Sequence, residues 1–131
     1  MATKGLPKSG LTILLVEDET SLREALSDYL THHGYCVTAV CAADDGIELF
    51  GSGTSFDIYL TDVQTPGRAD GIQLATQIVE QLPGANVIVM SGCTGSLDLA
   101  TALPGRVVFL SKPFRLSVLR DTIERLLLDR P

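Results

Sequence analysis

Four short apolar runs in this chain each stop abruptly at a residue suited to phosphate or metal chemistry. Thr12-Ile13-Leu14-Leu15-Val16 runs into Glu17-Asp18, and residues 56–61 run into Asp62. Val87-Ile88-Val89-Met90 runs into Ser91-Gly92, and Val107-Val108-Phe109-Leu110 into Ser111-Lys112-Pro113. Segments of helical period separate the runs. Leu22, Ala25, Leu26, Tyr29 and Leu30 fall on one face of a first helix, which Thr20 or Ser21 would cap and Gly34 would end. The spacing predicts strands over 11–16, 35–40, 56–61, 86–90 and 106–110. It predicts helices over 42–50, 71–82 and 97–103, and a last one carrying Leu116, Leu119, Ile123, Leu126 and Leu127. Strict alternation with near-continuous apolar strands requires a parallel sheet covered on both faces, with right-handed crossovers. All the strand-end residues then meet at the carboxyl edge of one sheet, where open α/β sheets build their sites.

The chain's 131 residues suffice for one domain and are too few for two ordinary ones. A net charge of −6 and a pI near 4.7 argue against direct nucleic-acid binding. The absence of an 18-residue apolar run argues against a membrane span. Residues 1–10 lack the apolar segment of a secretory signal and read as a flexible arm, a linker remnant or a cloning scar. Cys36, Cys41 and Cys93 are odd in number and scattered, which argues for a reducing cytoplasm and against a disulfide framework. Cys36 and Cys41 are expected to behave as small buried hydrophobes.

If the first and third strands are neighbours, Glu17, Asp18 and Asp62 lie within a few ångströms and raise one another's pKa. A hard divalent cation relieves that repulsion, and Mg²⁺ suits few carboxylates with retained waters and phosphate oxygens. The plainer reading is that Glu17-Asp18-Glu19 merely starts a helix, where acids favour the dipole. That accounts for Glu19 and leaves unexplained why Asp62 ends a different strand. Asp62 beside Mg²⁺ can itself attack phosphorus. Lys112 then supplies a point charge and Ser91 a hydroxyl. Taken alone, Lys112 reads as a solvated surface lysine and Ser91 as a turn residue.

In order and spacing, the segments LLVEDE, GYCVTAVCAADDGIELF, FDIYLTDVQTPGRADGIQL, VIVMSG and VVFLSKPF resemble the receiver domain of two-component response regulators. The resemblance covers residues 11–129. It implies a flavodoxin-like (βα)5 three-layer sandwich with a parallel five-stranded sheet of order 2-1-3-4-5. It implies that Asp62 is the phosphoacceptor and that Glu17 and Asp18 hold Mg²⁺ (Mn²⁺ being the alternative), with the backbone carbonyl of Gln64. Ser91 matches the switch hydroxyl, Lys112 the phosphoryl-contacting lysine, Phe109 the aromatic switch, and Lys112–Pro113 a commonly cis bond. Gln64 and Cys93 stand where the family tunes phosphoryl lifetime.

The expected donor is a histidine kinase or histidine phosphotransfer protein. Phosphorylation would remodel the face of the fourth helix, fifth strand and fifth helix for a protein effector or a homodimer. The expected role is a phosphoacceptor and not a turnover enzyme. The alternative is a constitutive docking or inhibitory module with vestigial phosphorylation. Departures from the family pattern are Thr65 in place of methionine, a loop one residue longer at 66–71, and Phe109 without a hydroxyl. The longer loop, the SGC stretch and the short fourth helix resemble receivers at the C-terminus of hybrid histidine kinases. An aspartate-based phosphatase would need an acid where Gln64 stands, and Glu17-Asp18-Glu19 would repel the phosphate of FMN. His32 and His33 are expected to be solvated or dipole-complementing rather than phosphoacceptors.

Overall fold

The computed structural model describes residues 10–92 and 106–128. The predicted helix over 97–103, Cys93 and nearly all of the N-terminal arm lie outside the described residues. The strands are β1 (Thr12–Val16), β2 (Cys36–Val40), β3 (Ile58–Asp62), β4 (Asn86–Ser91) and β5 (Arg106–Ser111). The described helices are α1 (Thr20–His32), α2 (Ala43–Gly51), α3 (Gly71–Gln81) and α4 (Leu116–Leu128), the last being the fifth of the sequence reading. All strand pairs are parallel, in the order β2-β1-β3-β4-β5. This is the flavodoxin-like sandwich.

The pleat sorts each strand's side chains into two cores, because successive residues face opposite sides of the sheet. Ile13, Leu15, Ile58, Leu60, Ile88 and Met90 pack with Leu26 and Leu30 of α1 and with Leu119, Ile123 and Leu127 of α4. Leu14, Val16, Tyr59, Val87 and Val89 pack on the other side with Phe50 of α2 and Leu74, Ile78 and Val79 of α3. β1, β3 and β4 are buried on both faces, so they read as continuous apolar runs.

Three strands run one residue further than the apolar pattern suggests. Asp62, Ser91 and Ser111 are strand residues, held by the pairings Asp62↔Met90 and Ser91↔Ser111. β3 starts later than expected because Asp57 turns back to β1, where its carboxylate accepts from the Thr12 N–H at 2.8 Å. α1 has no side-chain cap from Thr20 or Ser21. Glu19 occupies the cap position, and its N–H donates to the Glu17 carboxylate at 3.1 Å. Ala25, expected on the inner face of α1, is exposed.

Cys36 and Cys41 are exposed, contrary to the expectation of burial. β2 is an outer strand, and Cys36, Thr38 and Ala39 all meet solvent on it. Cys41 follows the strand's end. The Lys112–Pro113 bond is cis, as the family resemblance implied. Among the described residues no helix is long and apolar enough to cross a membrane.

Candidate functional site

The carboxyl edge of the sheet gathers its polar residues through backbone constraints. Glu17 continues β1 with an N–H donated to the Val40 carbonyl at 3.1 Å, and its side chain is 1% exposed. One carboxylate oxygen accepts from Lys112 Nζ at 2.9 Å and the other from the Glu19 N–H. Asp18 is exposed at the mouth. Arg23, one turn into α1, donates to the carbonyls of Glu17 and Asp18 at 3.0 and 3.3 Å and braces that corner. Asp62 ends β3, 8% exposed, and its Oδ2 accepts from Lys112 Nζ at 3.1 Å. Beyond Asp62 the chain folds back tightly, with the Gly71 N–H donating to the Val63 carbonyl at 2.7 Å. A Cβ at Gly71 would collide with the Asp62 carbonyl oxygen, so only glycine fits there.

Carboxylate oxygens of Glu17, Asp18 and Asp62 lie within 4.8 Å of one another. Burial pushes the Asp62 carboxyl up from its ordinary range. The hydrogen bond and charge of Lys112 oppose this, Glu17 adds to it, and the Gln64 N–H opposes it. Burial alone would lower Lys112, but its hydrogen bonds to Glu17 and Asp62 outweigh that and leave it raised. Two of the three carboxylates thus share one ammonium while Asp18 stands beside them, a donor set that fits a hard divalent cation with oxygen ligands. In front of them lies an open cleft of about 630 Å³, lined by Asp18, Asp62, Gln64, Ser91, Gly92 and Lys112 among others.

Residues 13–124 match the family model described as the response regulator receiver domain. The chain belongs to that family. It is 36% identical over 115 residues to the response regulator protein FleR of Pseudomonas aeruginosa, an alignment covering 86% of this chain and 24% of FleR. It spans less than half the length of other curated regulators it matches. A response regulator receiver protein from Sinorhizobium medicae superposes with a TM-score of 0.85 at 32% identity, covering 92% of this chain and 97% of that one. The regulator TrrA of Thermotoga maritima, solved in complex with Mg(2+)-BeF, superposes at 0.76 with 25% identity, covering 89% and 99%.

In this receiver domain the structure brings Glu17, Asp18, Asp62, Gln64, Ser91 and Lys112 to one cleft or its floor. Ser91 is 3% exposed, and its carbonyl accepts from the Lys112 N–H at 2.9 Å. Phe109 lies away from the cleft lining, opposite Val89 in the β4–β5 register and half-buried against the α2–α3 core. His32 is exposed, and the ring of His33 packs at a tilt of 59° against Tyr29 with centroids 4.6 Å apart. Both sit at the end of α1 remote from the cleft. Sequence reasoning missed the bracing role of Arg23. It also missed the capping box at Asp70, whose carboxylate accepts from the Gln73 N–H while the Gln73 side chain accepts from the Asp70 N–H. The D-x-x-Q spacing before an apolar run was the available signal.

Proposed function

We infer that Asp62 accepts the phosphoryl group by which this receiver domain takes part in two-component signalling. The observation that carries the reading is the Lys112 ammonium bonded to both Glu17 and Asp62 at the floor of an open cleft. An Asp62 oxygen attacks the phosphorus of a phospho-histidine on a kinase or phosphotransfer protein. The P–N bond breaks, and its electron pair returns to the imidazole nitrogen as the acyl phosphate forms. Lys112 gives up its hydrogen bond to Asp62 and faces the phosphoryl oxygens, and the Ser91 hydroxyl donates to one of them. Glu17, Asp18, Asp62 and the Gln64 carbonyl are the residues that would hold Mg²⁺. The ion would neutralise charge on the phosphoryl oxygens.

The movement of Ser91 draws Phe109 inward, which biases the outer face of β5 and α4 between two populations. Gln64, exposed at the cleft, and Cys93 set the lifetime of the phosphoryl group. The domain spans residues 11–129, works in the cytoplasm, and assists its own phosphorylation and dephosphorylation without turning over a separate substrate. Its output passes through a protein effector or a phosphorylation-dependent homodimer. A histidine phosphotransfer protein carrying ³²P on its histidine tests the reading. Label should pass to the wild-type chain and stay on the donor with Asp62→Asn. Transfer to Asp62→Asn at the wild-type rate would refute it.

A further inference from the structure

The long loop between β3 and α3 is tied to the start of α2. Both oxygens of Asp44, in the first turn of α2, accept backbone N–H groups of the loop, Arg68 to Oδ2 at 3.0 Å and Ala69 to Oδ1 at 2.9 Å. Thr65 makes the reciprocal connection. Its hydroxyl oxygen accepts the Ala43 N–H at 3.0 Å and its hydroxyl donates to the Ala69 carbonyl at 3.2 Å. Ala42, at the cap position of α2, offers no side-chain acceptor, so the loop caps the helix across 22 residues of sequence. Gly67 turns the loop at φ +103°, and a Cβ there would strike the Asp44 carboxylate. Thr65, itself one of these tethers, and Pro66 directly follow Gln64 and form a wall of the cleft.

We propose that Asp44 is a positioning residue for the phosphorylation site: by holding residues 65–69 against α2, it sets where Gln64 and the cleft wall stand relative to Asp62. The proposal rests on the receiver reading of the cleft. Asp44 touches none of the reacting groups and acts through the loop. Two backbone donors on one carboxylate define its direction, as a single bond would not. The adjacent Asp45, exposed in the same first turn, carries the same charge with no hydrogen bond to the loop. It therefore separates loop positioning from the general effect of an acid at a helix start.

The test compares wild type, Asp44→Ala, Asp44→Asn, Gly67→Ala and Asp45→Ala. The first readout is hydrogen exchange of the Arg68 and Ala69 amides without metal. Asp44→Ala should speed it by roughly tenfold, the equivalent of one lost hydrogen bond. The second is calorimetric titration with Mg²⁺ alone, whose dissociation constant should rise roughly tenfold, as it does when a group orienting a metal ligand is removed. The third is the half-life of the phosphoryl group on Asp62, which should change along with the Mg²⁺ affinity. Gly67→Ala should match Asp44→Ala, Asp44→Asn should fall between it and wild type, and Asp45→Ala should match wild type in all three.

Faster exchange with unchanged Mg²⁺ affinity and phosphoryl half-life would reduce Asp44 to a helix cap and overturn the proposal. Asp45→Ala equal to Asp44→Ala would overturn it as well. If Asp44→Ala does not fold, Asp44→Asn and Gly67→Ala carry the same comparison. A wild-type chain that takes neither Mg²⁺ nor phosphoryl would instead sink the receiver reading, while the exchange data would still report on the tether.

Discussion

Replacing Lys112 by methionine removes the only cation that the carboxylates share in the described structure while keeping most of the side chain's length. Lys112 makes charge-assisted bonds of 2.9 Å to Glu17 and 3.1 Å to Asp62. With Lys112 in place the Glu17 side chain is 1% exposed, so that ammonium is its main compensating charge. Breaking a fully buried pair by removing one partner costs about 3–5 kcal/mol. The Lys112 side chain keeps 23% exposure, which places the expected loss at the lower end of that range, about 3 kcal/mol. For a domain of this size that lowers Tm by roughly 10 °C. The assay is urea unfolding followed by circular dichroism, in EDTA and in saturating Mg²⁺. Lys112 and a divalent cation relieve the same repulsion. Mg²⁺ should therefore stabilise Lys112→Met by a larger increment than it stabilises wild type. Equal stability of the two proteins in EDTA, or equal increments from Mg²⁺, would refute the shared-charge argument.

Three further expectations use the same structure. Because the folded Asp62 carboxyl is raised, its protonated form favours folding, and that contribution is lost as pH rises through the folded pKa. Asp62→Asn should therefore be more stable than wild type at pH 7 without Mg²⁺, with the gap closing below the ordinary carboxylate range in pH-dependent urea melts. The buried Tyr35 hydroxyl has no hydrogen-bond partner among the described residues, and burial, then the charge of Glu124, pushes its pKa up to about 12 against a partial offset from Arg120. Tyr35→Phe should add about 1 kcal/mol of stability at pH 7. Tyr35→Phe should also weaken the loss of stability that wild type suffers as pH rises from about 10 towards 12, followed by phenolate absorbance. Asp70→Ala removes the capping box of α3 and should cost about 1 kcal/mol in thermal melts.

The sheet was legible because β1, β3 and β4 are buried on both faces, and double burial writes an unbroken apolar run into the chain. The site was legible for a related reason, since polar residues stop those runs at the edge where the strands converge. The strand order came from the family resemblance and not from periodicity. Outer strands leave a weaker record, so the exposure of Cys36 was misjudged where β2 meets solvent. Contacts between distant residues leave no local pattern at all. The Lys112–Glu17 pair spans 95 residues and the Asp44 tether to Ala69 spans 25. The one-residue extensions that place Asp62 and Ser91 inside strands are set by ladder partners on neighbouring strands, which hydropathy does not encode.

The most direct test of the central claim is the mass of the isolated chain after incubation with acetyl phosphate, with borohydride trapping and peptide mapping of the adduct. One phosphoryl group per chain at Asp62, formed with Mg²⁺ and absent in EDTA, is the predicted result. A modified chain whose adduct maps away from Asp62, or forms equally well in EDTA, would contradict the account.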